Sequence, residues 1–352
     1  MSYETGWAAV NLEMPDRVPH IECSAPIYHL ELVSAITGTK ITNETPWPER
    51  VEAMRKFMEI TDADIHLNTL IGGNVLSKKM TSMGHAAYAV GGTDFNDNVG
   101  CPFKTPQEAL AFDPWETYGP IDHADYVRQF DEHYANSCKE LPTVVNMTGI
   151  YSTLMSGMIY VFGWDMLLLA AGTDQDGFGE VCNRYASWMQ QFYNAFAESD
   201  APVLYSHDDL VWTEGAFIHP DWYRKYIFPN IKKMWEPCVE AGKKILFICD
   251  GDYTEFLDDV ADCGASGFYF ESHTDLKTVV EKFGQTHIIL GNGDCRPLTF
   301  GTKADVRTEV ERCMTLGKDC PGYFMCMADF PANVPLDNAL HYYDVYEELC
   351  RR

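Results

Sequence analysis

The stretch from Val203 to Asp294 constrains this chain more than any other. Four short apolar runs in it each end directly on polar, chemically able residues. VLY ends on Ser206-His207-Asp208-Asp209, ILFI on Cys249-Asp250-Gly251-Asp252, GFYF on Glu271-Ser272-His273, and HIIL on Gly291-Asn292-Gly293-Asp294. Runs this short, alternating with helical segments such as 254–263 and 275–283, predict buried parallel strands in βα units. In such folds the working side chains stand where strands end and loops begin. Four consecutive strand ends that can ligate, protonate or hydrogen-bond therefore predict a site.

The same pattern recurs outward from this stretch. VPHIEC ends near Glu22 and puts His20 and Glu22 on one face of a strand, as polar groups of an entry strand or as a wall of the site. Residues 63–68 form a strand ending at Asn68, and 143–149 a strand near Met147 with Tyr151 just beyond. The segment 322–329 ends near Cys326 and Asp329. With the four central runs this gives eight strand ends, near Glu22, Asn68, Met147, His207, Cys249, Glu271, Asn292 and Cys326. Eight strands alternating with helices predict an α/β fold, a (β/α)8 TIM barrel, as a single domain over 1–352. An open doubly wound sheet is disfavoured, because no phosphate loop of Walker or Rossmann spacing is present.

Helices are expected over 4–14, 49–60, 124–137, 158–170 and 177–198. In the last, Val181, Tyr185, Met189, Phe192 and Phe196 make a core stripe. Pro220 suits a first helical turn, and Pro229 should kink or restart that helix. Residues 72–98, rich in Gly and Met, read as loop or excursion over the barrel, with Asp94 and Asp97 as turn residues.

Charge removes several functions. With a formal net charge of −26 and no basic run, nucleic acid and anionic membranes are poor partners. No signal pattern opens the chain, and the apolar segment 158–172 is interrupted at Gly163 and Asp165. The twelve cysteines contain no CxxC pair and read as reduced thiols, so a cytoplasmic location is expected.

The run Leu290-Gly291-Asn292-Gly293-Asp294-Cys295-Arg296-Pro297-Leu298, followed by Gly301, Thr302 and Val306, resembles the GN-x-D-P-x-x-L segment of the uroporphyrinogen decarboxylase superfamily. Pro335-Leu336-Asp337-Asn338 resembles its closing P-x-x-N element. The resemblance extends weakly back to about residue 15 and implies a barrel with its cleft at the strand C-termini. Two departures argue against decarboxylase activity: Asn68 stands where that pattern carries a catalytic Asp, and the arginine-rich N-terminal loop is missing. The superfamily's corrinoid-dependent methyltransferases then remain. Their thiol-methylating branch implies zinc, and Cys249 and Cys326 match two of its three ligands, with His207 or Glu271 as a substitute third. The same cysteines read equally as buried thiols. The Ser206-His207-Asp208-Asp209 run, with Asp250-Gly251-Asp252 on the next strand, looks more like the aryl methyl ether branch. That branch implies a corrinoid (cobalamin) carried by a partner corrinoid protein and a small aromatic methyl ether as donor; no D-x-H-x-x-G segment is present to bind cobalamin in this chain.

Methyl transfer from an ether to cobalt(I) leaves a phenolate, whose conjugate acid has a pKa of ~10. Protonation or a Lewis acid should therefore assist the leaving oxygen. His207, Asp208, Asp209, Asp250 and Glu271 are the candidate catalytic set. Carboxylates sharing one site should raise the pKa of at least one. Asp208 and Asp250 also read as caps of the helices that follow them. Glu22, Asn68, Tyr151, Asn292 and Asp329 are the candidates for holding substrate, and His273 and His287 read as structural.

Overall fold

In the computed structural model, residues 2–21, 25–76, 79–81, 100–327 and 330–352 are described. Eight parallel strands carry the fold. They are β1 (His20–Ile21), β2 (Ile65–His66, resuming as Thr69–Ile71), β3 (Val145–Asn146, resuming as Thr148–Ile150) and β4 (Val203–His207). Then follow β5 (Lys244–Cys249), β6 (Gly267–Phe270), β7 (Ile288–Gly293) and β8 (Tyr323–Met327). Neighbours in sequence are neighbours in space from β2 to β8, and β8 pairs with β1 in the register Met325 to His20. This is the (β/α)8 barrel that the eight strand ends predict.

The seam between β1 and β2 is held differently from the other seams. Among the described residues one backbone bond crosses it, from the Asp64 N–H to the His20 carbonyl at 3.1 Å. The Asp64 carboxylate supplies a second by accepting the His20 N–H at 2.9 Å. Arg17 grips that carboxylate with two bonds of 2.8 Å. A side chain thus stands in for a ladder partner. Breaking so buried a pair from one side typically costs ~3–5 kcal/mol.

Strand pleating sorts the apolar residues into two cores. One fills the barrel interior: Ile21, Ile65, Val145, Met147, Val203, Tyr205, Leu246, Ile248, Tyr269, Ile288, Leu290, Phe324 and Cys326. Their alternates, such as Leu204, Phe247, Phe268 and Met325, join the larger core beneath the outer helices. The N-terminal helix Ser2–Val10 closes the barrel floor, adding Ala9 and Val10 to the interior core. Gly6 permits that approach, because a Cβ there would lie 2.4 Å from the Asp64 carbonyl oxygen.

Element edges depart from the sequence expectation for local reasons. The first helix stops at Val10, ahead of a turn with Leu12 at φ 59°. Ahead of the helix expected over 124–137, two short helices also form, Pro106–Leu110 and Pro114–Tyr118, the second capped by Asp113 through the Trp115 N–H at 2.8 Å. Pro229 restarts the chain as expected, with Pro220–Tyr226 giving way to Phe228–Glu240. Met155–Thr173 is long and apolar enough to cross a membrane, yet it is mostly buried and is broken at Gly163 (φ 69°, ψ 163°). Most of the excursion expected over 72–98, with Asp94 and Asp97, lies outside the described residues.

Candidate functional site

Which polar residues reach the barrel mouth follows from strand parity. On β4, Val203 and Tyr205 point inward, so His207 at the strand end does too. On β5, Leu246 and Ile248 point inward, so Asp250 follows them. Asp209, two residues beyond His207, turns back toward the same space. One ligand atom each from His207, Asp209 and Asp250 lies within 4.8 Å of the others. His207 and Asp250 therefore stand together, as the barrel prediction requires.

The His207 ring is fixed from several sides. Tyr151 stacks on it at 3.8 Å with planes 17° apart. The Thr153 hydroxyl donates to the His207 carbonyl. Ser156, in the first turn of Met155–Thr173, sets its Oγ 3.3 Å from His207 Nδ1 and 3.2 Å from Asp209 Oδ2, and it accepts the Asp209 N–H at 2.9 Å. His207 Nε2 faces Asp209 Oδ1 at 3.6 Å. Burial pushes the His207 pKa down to about 3, which favours the neutral ring. Burial raises the Tyr151 hydroxyl well above its usual range, with the Asp209 and Asp250 charges adding to it. Tyr160, also raised by burial and Asp209, sits at about 12.

Asp208 is placed elsewhere. Its parity on β4 is that of Leu204 and Ser206, so it points away from the lumen and accepts the Ser156 N–H at 2.8 Å. It does support a helix terminus, though that of Met155–Thr173, which follows β3, and not that of the helix after β4. Burial, opposed by hydrogen bonds from Ser156 and Thr153 and reinforced by Asp209, raises its pKa to about 7. The expected raised carboxyl exists, but it lies behind the mouth and serves the scaffold that holds Ser156.

Other expectations are corrected by the same geometry. Asn68 turns outward and donates to the Ser137 hydroxyl at 2.6 Å on the helix His123–Glu140, so it does not face substrate. Asn292 is also turned out. Its amide donates to the Thr274 carbonyl at 2.8 Å, while Arg312 donates to its Oδ1 and its backbone oxygen at 3.0 Å each. Cys249 belongs to the outer core and Cys326 to the lumen, where it lies 3.6 Å from the Tyr269 hydroxyl. Two thiols on opposite faces of the sheet do not make a shared zinc site. Glu271 accepts the Gly251 N–H at 3.2 Å and sits 3.6 Å from His273 Nδ1, bracing the loop after β5. His20 faces outward, its Nε2 2.6 Å from the Thr61 carbonyl oxygen. Glu22 and Asp329 lie outside the described residues.

Sequence reading missed Ser156, Thr153 and Tyr160. No motif marks them, because they arrive from the helix after β3 by packing against β4. Gly251, at φ 80° and with a Cβ position 2.5 Å from the Trp212 carbonyl oxygen, lets the loop carrying Asp250 pass under the Val211–Ala216 hairpin.

The fold and site together define a TIM barrel with a histidine and two carboxylates gathered at its C-terminal mouth. The sequence matches the Uroporphyrinogen decarboxylase (URO-D) family over residues 94–349, and the chain belongs to that family. Among solved structures, it is similar to a methyltransferase from Methanosarcina mazei, at 18% identity and a TM-score of 0.64, covering 99% of this chain and 98% of that one. A B12-independent methionine synthase from Shewanella sp. W3-18-1 matches at 10% identity and a TM-score of 0.43, covering 88% and 91%. No curated protein sequence matches the chain.

Proposed function

We propose that this protein is a methyltransferase that takes the methyl group from an aryl methyl ether and passes it to cobalt(I) of a corrinoid on a partner protein. The observation that carries this reading is one juxtaposition. Four aromatic side chains of the interior core, Tyr151, Tyr205, Tyr269 and Phe324, lie beneath the strand ends that carry His207 and Asp250, with Asp209 beside them. An aromatic wall suits a flat aromatic ligand. The polar cluster at the open end suits the ether oxygen, with the methyl group facing outward to a docked acceptor.

The reaction forms a cobalt–carbon bond and breaks the methyl carbon–oxygen bond. Its electron pair stays on the phenolic oxygen, which takes up one proton. Two carboxylates as close as Asp209 and Asp250 repel each other, and a proton or a cation between them relieves that repulsion. Electrophilic help to the leaving oxygen therefore comes from this pair, with neutral His207 orienting it. Asp208 acts one layer back, by holding the helix that presents Ser156.

The resemblance to the M. mazei methyltransferase supports the barrel on which this reading rests. The family's name suggests decarboxylation as a second reading. Against it, Asn68 is engaged with Ser137, and a chain of net charge −26 is a poor host for a polyanionic tetrapyrrole. The test is methylcobalamin formation, followed by absorbance, from a methoxyphenol or a dimethoxybenzene with cob(I)alamin as acceptor. Methylation from such an ether supports the proposal. If no ether reacts while a thiol acceptor or a simple alkyl donor does, the aryl ether assignment fails.

A further inference from the structure

We infer that His207, Asp209 and Asp250 form a mononuclear site for a first-row divalent transition ion, replacing the thiolate set that the superfamily resemblance suggests. This deepens the methyl-transfer reading and rests on it only for the site's use. The site itself is argued from hydrogen-bond assignment.

Ser156 Oγ has one hydrogen and three neighbours. It accepts the Asp209 N–H at 2.9 Å, and its hydrogen goes to Asp209 Oδ2 at 3.2 Å. Toward His207 Nδ1, at 3.3 Å, it is then an acceptor, so Nδ1 carries the ring proton. Nε2 is then the ring's acceptor nitrogen and lies 3.6 Å from Asp209 Oδ1, while one ligand atom each from His207, Asp209 and Asp250 falls within 4.8 Å of the others. An imidazole nitrogen and two carboxylates this close offer one cation three ligands.

The arrangement has further marks of a ligand set. A buried imidazole, only 4% exposed, is aimed into the carboxylates. Its plane is fixed by Tyr151 and its second nitrogen by Ser156, as outer partners commonly orient metal-bound histidines. Asp250, exposed at the mouth, leaves one side open to a further ligand. One nitrogen and two carboxylates suit zinc, manganese or iron(II) better than magnesium or calcium, which prefer oxygen alone. When bound, such an ion would supply Lewis-acid assistance to an ether oxygen. Ser156 is a positioning residue in this account.

The test titrates Zn2+ alone into the full chain after chelator treatment, by calorimetry, with Co2+ absorption as a second readout. The expected result is one site per chain, weakened by at least roughly 100-fold in Asp209→Asn and in Asp250→Asn, and by about 10–100-fold in Ser156→Ala. Cys249→Ala and Cys326→Ala should bind as the parent does, and the Co2+ spectrum should lack thiolate charge-transfer bands. Asp250 is exposed, so Asp250→Asn should keep the parent melting temperature and make its loss of binding readable. No binding by the parent, or binding undiminished in both Asp variants, overturns the site; so does binding lost in a cysteine variant. Zinc bound as expected with no methyl transfer removes only the proposed reaction, and methyl transfer without stoichiometric metal removes only this site.

Discussion

Strands β4 and β7 carry the same signature, an apolar run stopping on a polar cluster, yet they use it in opposite ways. The end of β4 delivers His207 and then Asp209 into the mouth, with Ser156 and Tyr151 arranged around them. The end of β7 delivers Asn292 outward, where Arg312 and the Thr274 carbonyl consume its amide. Composition does not separate the two. What separates them is the set of partners at the strand end: Asn292 shares the parity of Leu290 and Ile288, yet Arg312 and the Thr274 carbonyl draw its amide out of the mouth, whereas Ser156 and Tyr151 hold His207 in it. Inward parity makes a strand end a site only when its neighbours leave the side chain there.

The largest effect that could break this comparison is on turnover. Asp209→Asn and Asp250→Asn should each lower the methyl-transfer rate by roughly 10²–10⁴-fold with the protein still folded. Asp208→Asn, outward on the same strand, keeps an acceptor for the Ser156 N–H and should change the rate far less. Equal losses in Asp208→Asn and Asp250→Asn, measured side by side, would show that parity does not sort these residues.

The counterpart on β7 is a stability effect. Arg312→Ala strips the Asn292 side-chain and backbone oxygens of their guanidinium partner, and leaving such buried acceptors unmet costs about 1–3 kcal/mol. Denaturant midpoints should fall, while Zn2+ affinity and rate per folded molecule stay at the parent values. A rate loss without a stability loss would move Asn292 back into the site.

Most of the barrel was legible in the sequence, because burial on both faces leaves strands as uninterrupted apolar runs that end abruptly. The gathering of His207, Asp209, Asp250 and Tyr151 at one end of the strands was legible for the same reason. Asp208, Asn68 and Asn292 turn away from the mouth and Cys249 and Cys326 are buried thiols on opposite faces, placements that depend on partners a strand's local pattern does not show. The outward partners, Ser137, Arg312 and Ser156, come from distant helices. Asp113 capping an extra helix, and Asp64 closing the β1–β2 seam, likewise depend on contacts that no local pattern shows.

The smallest expected effect concerns pH and a residue whose parity faces the helices. His66 pairs with Asn146 across the β2–β3 seam, and burial depresses its pKa to about 4. Its folded pKa lies below the unfolded value of ~6.5, so the native state takes up its proton later than the unfolded chain does. The contribution is fully present above about pH 6.5 and is lost as pH falls toward about 4. His66→Asn should flatten the fall in melting temperature across that window, and an unchanged slope would assign it to other groups.

The central claim is that the inward ends of β4 and β5 form the place where a methyl group leaves an aromatic ether. A single-turnover measurement of methylcobalamin appearance tests it most directly, using 2-methoxyphenol, cob(I)alamin and three proteins: the parent, Asp250→Asn and Arg312→Ala. The account predicts methylcobalamin from the parent and from folded Arg312→Ala at similar rates, and a loss of at least about 100-fold in Asp250→Asn. Methylcobalamin formed as fast by Asp250→Asn as by the parent would contradict it.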